Sequence, residues 1–256
     1  MANLSRVVYG RQSLAQPLGG DIGGPSLPVI SDQSWETLTG GGWTYTQSAA
    51  TNPAVILSDG SAPHSPTNVL VIDITGVPSG SKAGVHERQI GSISAPTREF
   101  SAEFWFKLSA NFETGPSLAC WLTQTWPASG AYAFLGLYCM GAGCPDAPMD
   151  TPLRIGGDRF DATGVPRYPN VNTTPIARGE WHKVRQYYKF ETAEESSGDG
   201  IFRVWIDDVL NIEHTDVTYP VAMGGYFLFF DLAITKNNDT ITPHDVRIDH
   251  TLLSGQ

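Results

Sequence analysis

From Phe100 to Lys107 the side chains change character at every residue. Phe100, Ala102, Phe104 and Phe106 fall on one parity, and Ser101, Glu103, Trp105 and Lys107 on the other. A period of two places these sets on opposite faces of an extended strand, so one face is apolar and needs a second layer to cover it. Short apolar runs bounded by turn residues recur at 55–57, 68–74, 118–125, 131–140, 181–190, 201–206, 209–214, 225–234 and 245–252. No segment carries a convincing helical period, and no internal repeat appears. The 27 glycines and 18 prolines of this 256-residue chain supply the turns. With only 16% charged residues, they exclude a coiled coil or long-helix protein. The 41% hydrophobic and 11% aromatic content excludes a disordered chain. The class is therefore all-β, a sandwich or barrel.

The first 33 residues differ from the rest. Gly19-Gly20-Asp21-Ile22-Gly23-Gly24-Pro25, followed by Pro28, cannot sustain regular structure. Residues 1–33 are read as an extended Gly/Pro-rich arm and 34–256 as one domain. Ordering the arm costs roughly 1–2 kcal/mol per residue in backbone entropy. Its few apolar side chains do not return that much, so it is expected to add to a sheet edge, most simply that of another protein subunit. Residues 141–179, with prolines at 145, 148, 152, 166, 169 and 175, are read as a long loop region.

A net charge of −10 without a basic face argues against nucleic acid as a partner. No run approaches the roughly 18 apolar residues of a membrane span. The first ten residues hold no hydrophobic signal core. The protein either works where it is made, leaves by a route needing no signal peptide, or has lost one. Three cysteines exclude a disulfide framework: Cys139 and Cys144 are spaced for a tight bridge or for two free thiols, and Cys120 sits in an apolar run. No Cys/His set has zinc spacing.

Arg178-Gly179-Glu180-Trp181-His182-Lys183-Val184 and Gly200-Ile201-Phe202-Arg203-Val204-Trp205-Ile206-Asp207-Asp208-Val209-Leu210 resemble the Gly-x-Trp-His-x-Val strand opening and the "strand, Asp-Gly turn, strand" hairpin of the concanavalin-A-like jelly rolls. That superfamily includes laminin-G-type domains, legume-type lectins, glucanases and polysaccharide lyases. Residues 100–108 resemble its early strand and 245–250 its closing strand. The resemblance spans about 97–254 and implies a two-sheet antiparallel jelly-roll sandwich behind an extended N-terminal arm. Asp208 stands where the family usually has glycine, a position Asp tolerates. Trp181 is expected to plug one end of the sandwich.

The fold hosts enzymes, lectins and purely structural modules, so function rests on sites. Retaining glucanases of this fold carry two carboxylates about 5 Å apart, on one face of one strand. No such triplet occurs here, and Glu99 and Glu103 lie about 13 Å apart along their strand. Alginate-lyase relatives need a group that neutralises the uronate carboxylate and a Tyr or His base; His86-Glu87-Arg88-Gln89-Ile90 is only faintly similar to their Arg-rich strand. The alternation of 181–190 puts Lys183, Arg185, Tyr187 and Lys189 on one face and Val184, Gln186, Tyr188 and Phe190 on the other. Arg185, Tyr187 and Lys189, with His182, are the candidate glycan-binding residues; the competing reading is a wet basic row. Asp146, Asp150, Asp158 and Asp161 are candidate ligands for calcium, the one cofactor considered, although aspartates also serve turns. Serine-nucleophile, phosphate-loop and zinc-protease motifs are absent, and no catalytic residue is assigned.

Missing catalytic motifs, an export-type fold without a signal and the arm together favour a non-catalytic structural or binding protein. It would be mounted on a larger assembly, such as a phage or virus particle surface, as a decoration or fibre component, located on the virion or outside the cell. The alternatives are an extracellular carbohydrate-active enzyme of the polysaccharide-lyase kind and a soluble lectin-like domain.

Overall fold

A computed structural model describes residues 26–46, 54–64, 68–75, 82–92, 94–112, 120–127, 135–141, 153–160, 166–167, 174–193, 197–218, 227–235 and 245–256. These form β1 (Val29–Gln33), β2 (Trp43–Thr46), β3 (Val55–Ser58), β4 (Asn68–Asp73), β5 (Lys82–Gln89), β6 (Glu99–Leu108), β7 (Cys120–Pro127) and β8 (Leu135–Gly141). Then follow β9 (Leu153–Phe160), β10 (Pro166–Arg167), β11 (Pro175–Ile176), β12 (Trp181–Lys189), β13 (Gly200–Ile206), β14 (Val209–Val217), β15 (Phe227–Thr235) and β16 (Asp245–Gly255). Among the described residues there is no helix, and so none long enough to cross a membrane.

The strands make two antiparallel sheets. Sheet A runs β14-β13-β12-β6-β16-β4-β3, with β1 also on β16. Sheet B runs β10-β9-β8-β7-β15-β5-β2, with β11 also on β9. Neighbours such as β6 and β16, or β15 and β5, are far apart in sequence, as a jelly roll requires.

The alternation of β6 holds without a break: Phe100, Ala102, Phe104, Phe106 and Leu108 are buried, and the residues between them are half-buried. Val184, Tyr188, Phe190, Val204 and Ile206 are buried as expected. From sheet B, Phe227, Phe230 and Leu232 complete one continuous core. Phe100 stacks on Tyr188 at 4.8 Å within sheet A and meets Phe227 edge-on at 4.8 Å across the sandwich. Such offset and edge contacts add about 0.5–1.5 kcal/mol per pair beyond the area they bury.

Asp207 and Asp208 both have positive φ, 49° and 65°, so β13 and β14 are joined by a two-residue turn of the kind that matches strand twist. Asp207 also pins the neighbouring strand: its Oδ1 accepts from Lys183 N at 2.9 Å and its Oδ2 lies 2.7 Å from His182 Nδ1.

Three expectations change. The last part of the expected arm adds to a sheet edge of its own chain rather than of another subunit: Val29–Gln33 pairs with residues 251–254 of β16, and Gly255 N donates to Pro28 O at 2.8 Å. Residues 1–25 lie outside the described residues. The expected loop region, read from its prolines, contains β9, which is held by its ladder to β8. Finally, β5 was not expected as a strand; β2 and β15 flank it and supply its backbone partners. Cys120 and Cys139 are register partners on β7 and β8, while Cys144 lies outside the described residues.

Candidate functional site

The candidate glycan-binding residues of β12 divide between its two faces, the stripe on one and His182 on the other. Lys183, Arg185, Tyr187 and Lys189 do share the outer face of sheet A. His182 faces the other way, 7% exposed, with Nδ1 on Asp207 and Nε2 accepting from Ala177 N at 3.0 Å. It ties the strand opening to the β13–β14 turn and does not join the other three.

The stripe is also occupied by its own chain. The Arg185 guanidinium lies 4.1 Å over the Trp205 ring. The Tyr187 hydroxyl donates to Glu99, and burial together with that carboxylate pushes the phenol well above its ordinary range. Leu27 packs on Tyr187 and Trp205, which are 5% and 6% exposed. Lys183 bridges Glu103 and Asp208 at 3.3 Å each. Lys189 is half-buried, between Glu99 and Ile201 in register. The aromatic faces a sugar would need are thus already covered.

Trp181 does not plug the sandwich. It lies half-buried on the outer face, its Nε1 donating to Ser61 Oγ at 3.1 Å and Lys107 Nζ 4.8 Å from its ring. Lys107 and Arg247 both bind Asp59, at 2.6 and 2.9 Å. Burial raises the Asp59 carboxyl's proton affinity, but hydrogen bonds from Lys107, Ser61 and Arg247 outweigh it and hold the group well below the usual carboxylate range. This network clamps the segment after β3 onto sheet A.

Of the calcium candidates, Asp146, Asp150 and Asp161 lie outside the described residues, and Asp158 is on β9. No group of three metal-ligating side chains occurs among the described residues.

The arrangement that sequence reasoning missed is on sheet B. His86, Leu232 and Thr123 are fully buried in the sandwich. Glu87 and Asp231, next to His86 and Leu232 in the chain, therefore occupy the opposite, outer face. Read across the sheet, Thr44 on β2 pairs with Glu87 on β5, Glu87 with Asp231 on β15, and Asp231 with Gln124 on β7. Gln124 pairs in turn with Gly136 on β8, and Gly136 with Asp158 on β9. This is one register row across six strands, about 24 Å long at a strand spacing of ~4.8 Å. Glu87 is half-buried and Asp231 is 1% exposed. Two residues along, Gln89, Phe229 and Trp126 make a second, partly aromatic row. Directly opposed strand residues have Cα atoms about 4.5–5.5 Å apart, so Glu87 and Asp231 form the side-by-side carboxylate pair that no single strand contains. Its only sequence signal was the polar residue between apolar ones in Phe230-Asp231-Leu232.

No family's sequence pattern matches the chain, and no curated protein matches it in sequence. Solved structures do match in shape. An alginate lyase bound to an alginate trisaccharide aligns with a TM-score of 0.58 at 9% identity, covering 90% of this chain and 100% of that one. A carbohydrate esterase from the Shiga toxin-encoding bacteriophage phi24B aligns at 0.56 and 14%, covering 90% and 100%. An endo-β-1,4-glucuronan lyase from the fungus Trichoderma reesei aligns at 0.52 and 16%, covering 83% and 91%. At these identities the likeness establishes architecture alone. With its two antiparallel sheets and crossing strand order, the chain has the concanavalin-A-like jelly-roll sandwich fold.

Proposed function

We propose that this protein binds polysaccharide along the outer face of sheet B, with the row Thr44, Glu87, Asp231, Gln124 and Asp158 as the polar floor. The observation that carries the reading is the row itself: hydrogen-bonding residue types occupy five of six consecutive register positions across a face whose reverse side is an apolar core. Carboxylates accept from sugar hydroxyls, and an amide both donates and accepts. The Phe229 and Trp126 positions beside the row suit a glycan's apolar ring faces. The similar structures named above include proteins that act on carbohydrate, which supports the ligand class.

Affinity electrophoresis through gels containing neutral or uronic polysaccharides tests this. The wild type should be retarded by at least one glycan. Glu87→Gln and Gln124→Ala should weaken that retardation about tenfold, the worth of roughly one charged hydrogen bond. Glu213→Gln on sheet A should not. Retardation by no glycan, or row variants that bind like the wild type, would overturn the reading.

A second reading adds catalysis by β-elimination. Tyr138, two residues from Gly136 on β8, and Arg154, opposite Met140 on β9, hold register positions of the same parity as the row. A tyrosine base and a cation that neutralises a uronate carboxylate are what a uronate lyase needs, and two of the similar structures are uronate lyases. The expected outcome is new ultraviolet absorbance from a 4,5-unsaturated product, lost in Tyr138→Phe; no such absorbance on alginate or glucuronan removes this reading. Attachment to a larger assembly such as a phage particle, with a virion or extracellular location, rests on residues 1–25 preceding β1. Particle mass or binding of the full chain beside a chain lacking 1–25 tests it.

A further inference from the structure

His86 is unusual among the histidines. It has no exposed surface, and neither Nδ1 nor Nε2 has a hydrogen-bond partner. Its ring stacks on Tyr45 of β2 at 4.7 Å and meets Trp35 edge-on at 5.3 Å. Its register partner on β15 is Leu232 and on β2 is Tyr45. No described carboxylate faces the ring: Glu87 and Asp231 occupy the other face of the sheet, and Asp32 is engaged by His250 at 2.7 Å. Among the described residues the nearby cation is Arg88, which donates to the carbonyls of Gly42 at 3.3 Å and Ile30 at 3.4 Å. Tyr45's hydroxyl accepts from Ala54 N, and the Trp35 indole donates to Thr251. The box therefore suits a neutral imidazole and offers an imidazolium no acceptor.

Among the described residues β2 is a four-residue edge strand whose ladder is to β5 alone. An unpaired buried charge is far costlier than a strained contact, so a protonated His86 must reach water. Leaving the box is simplest by parting β2 from β5. We propose that His86 is an acid-sensitive latch that holds edge strand β2 on β5 when neutral and releases it when protonated. Burial pushes the imidazole down to about 4. Proton uptake thus favours the open edge progressively as pH falls from the ordinary histidine range near 6.5 towards 4. Because β2 carries Thr44, opening also parts the end of the polar row from Glu87. Weaker glycan binding in acid is a consequence that rests on the polysaccharide reading; the latch itself does not.

Amide hydrogen exchange of the full chain, corrected for the intrinsic pH dependence, distinguishes the two. Between pH 7 and pH 4.5, protection of the β2 amides bonded to β5, and of the Val85–Arg88 amides that face β2, should fall by up to roughly 60-fold, the linkage factor over that interval for a shift from 6.5 to about 4. The β6 and β12 amides should hold, and His86→Phe should remove the difference. Unchanged protection of β2, or an equal fall in every strand, would overturn the latch whether or not any glycan binds. Should His86→Phe fail to fold, titration of the wild-type His86 ring by NMR decides. A midpoint near 6.5 with β2 still protected overturns the proposal, and a midpoint well below 6 supports it.

Discussion

Gln186 is a fully buried amide in the middle of an aromatic core, and it joins the two sheets. Its Nε2 donates to Thr123 Oγ1 on β7 at 3.2 Å, and its Oε1 accepts from the Tyr188 hydroxyl at 2.7 Å. All three residues have no exposed surface. Gln186→Leu keeps most of the volume but deprives two buried hydroxyls of this partner. Each such loss costs about 1–3 kcal/mol, so the substitution should destabilise by roughly 2–5 kcal/mol. That is a large share of a typical stability of about 5–15 kcal/mol. At about 2–4 °C per kcal/mol for a chain of this size, Tm should fall by roughly 5–15 °C. The diagnostic control is the triple variant Gln186→Leu, Tyr188→Phe, Thr123→Val. It removes both hydroxyls together with the amide and should recover to within about 1–2 kcal/mol of wild type, because replacing all partners by apolar groups of similar shape is nearly neutral. Urea unfolding followed by circular dichroism reads the midpoint and slope of each variant. A neutral single substitution, or a triple variant as unstable as the single one, would refute the bridge.

Other outcomes follow from the same geometry. A Cβ at Gly91 would sit 2.3 Å from the Phe227 carbonyl oxygen and 3.0 Å from Thr97 N; backbone cannot yield as a side-chain tip can, so Gly91→Ala should cost about 3 kcal/mol or more in thermal unfolding. Asp59→Asn should cost about 1 kcal/mol at pH 7, a figure discounted for the partly exposed cations around it. Because the folded-state carboxyl is held low, wild type and variant should converge as pH falls below about 4, as checked by denaturation at pH 7 and pH 3. Deleting 1–25 spares β1 and should leave the melting temperature within a few degrees. Deleting 1–33 strips β1 from β16, removes Ser31 from Trp43 and Asp32 from His250, and should destabilise clearly.

The division between what the residues announce and what folding decides is visible in particular strands. The period-two alternation of β6 and β12 settled their faces, because one buried face makes a one-residue slip exchange every side chain. The strands and turn pattern of the C-terminal half, and hence the fold class, followed from local signals of that kind. Where those signals were weak, long-range pairing decided: Gly156-Gly157 became strand because β8 offered it a ladder, and Val29–Gln33 left the arm because β16 had an open edge beside β4. The basic stripe of β12 was correctly placed on one face, yet nothing in its own residues showed that Leu27, more than 150 positions earlier, would cover it. The polar row of sheet B was invisible for a related reason. Asp231 lies more than 100 residues from both Glu87 and Gln124, and a search along one strand cannot find a pair that two strands create. Sequence determines which side of its own strand a residue takes; only the order in which strands are laid side by side decides who stands next to it.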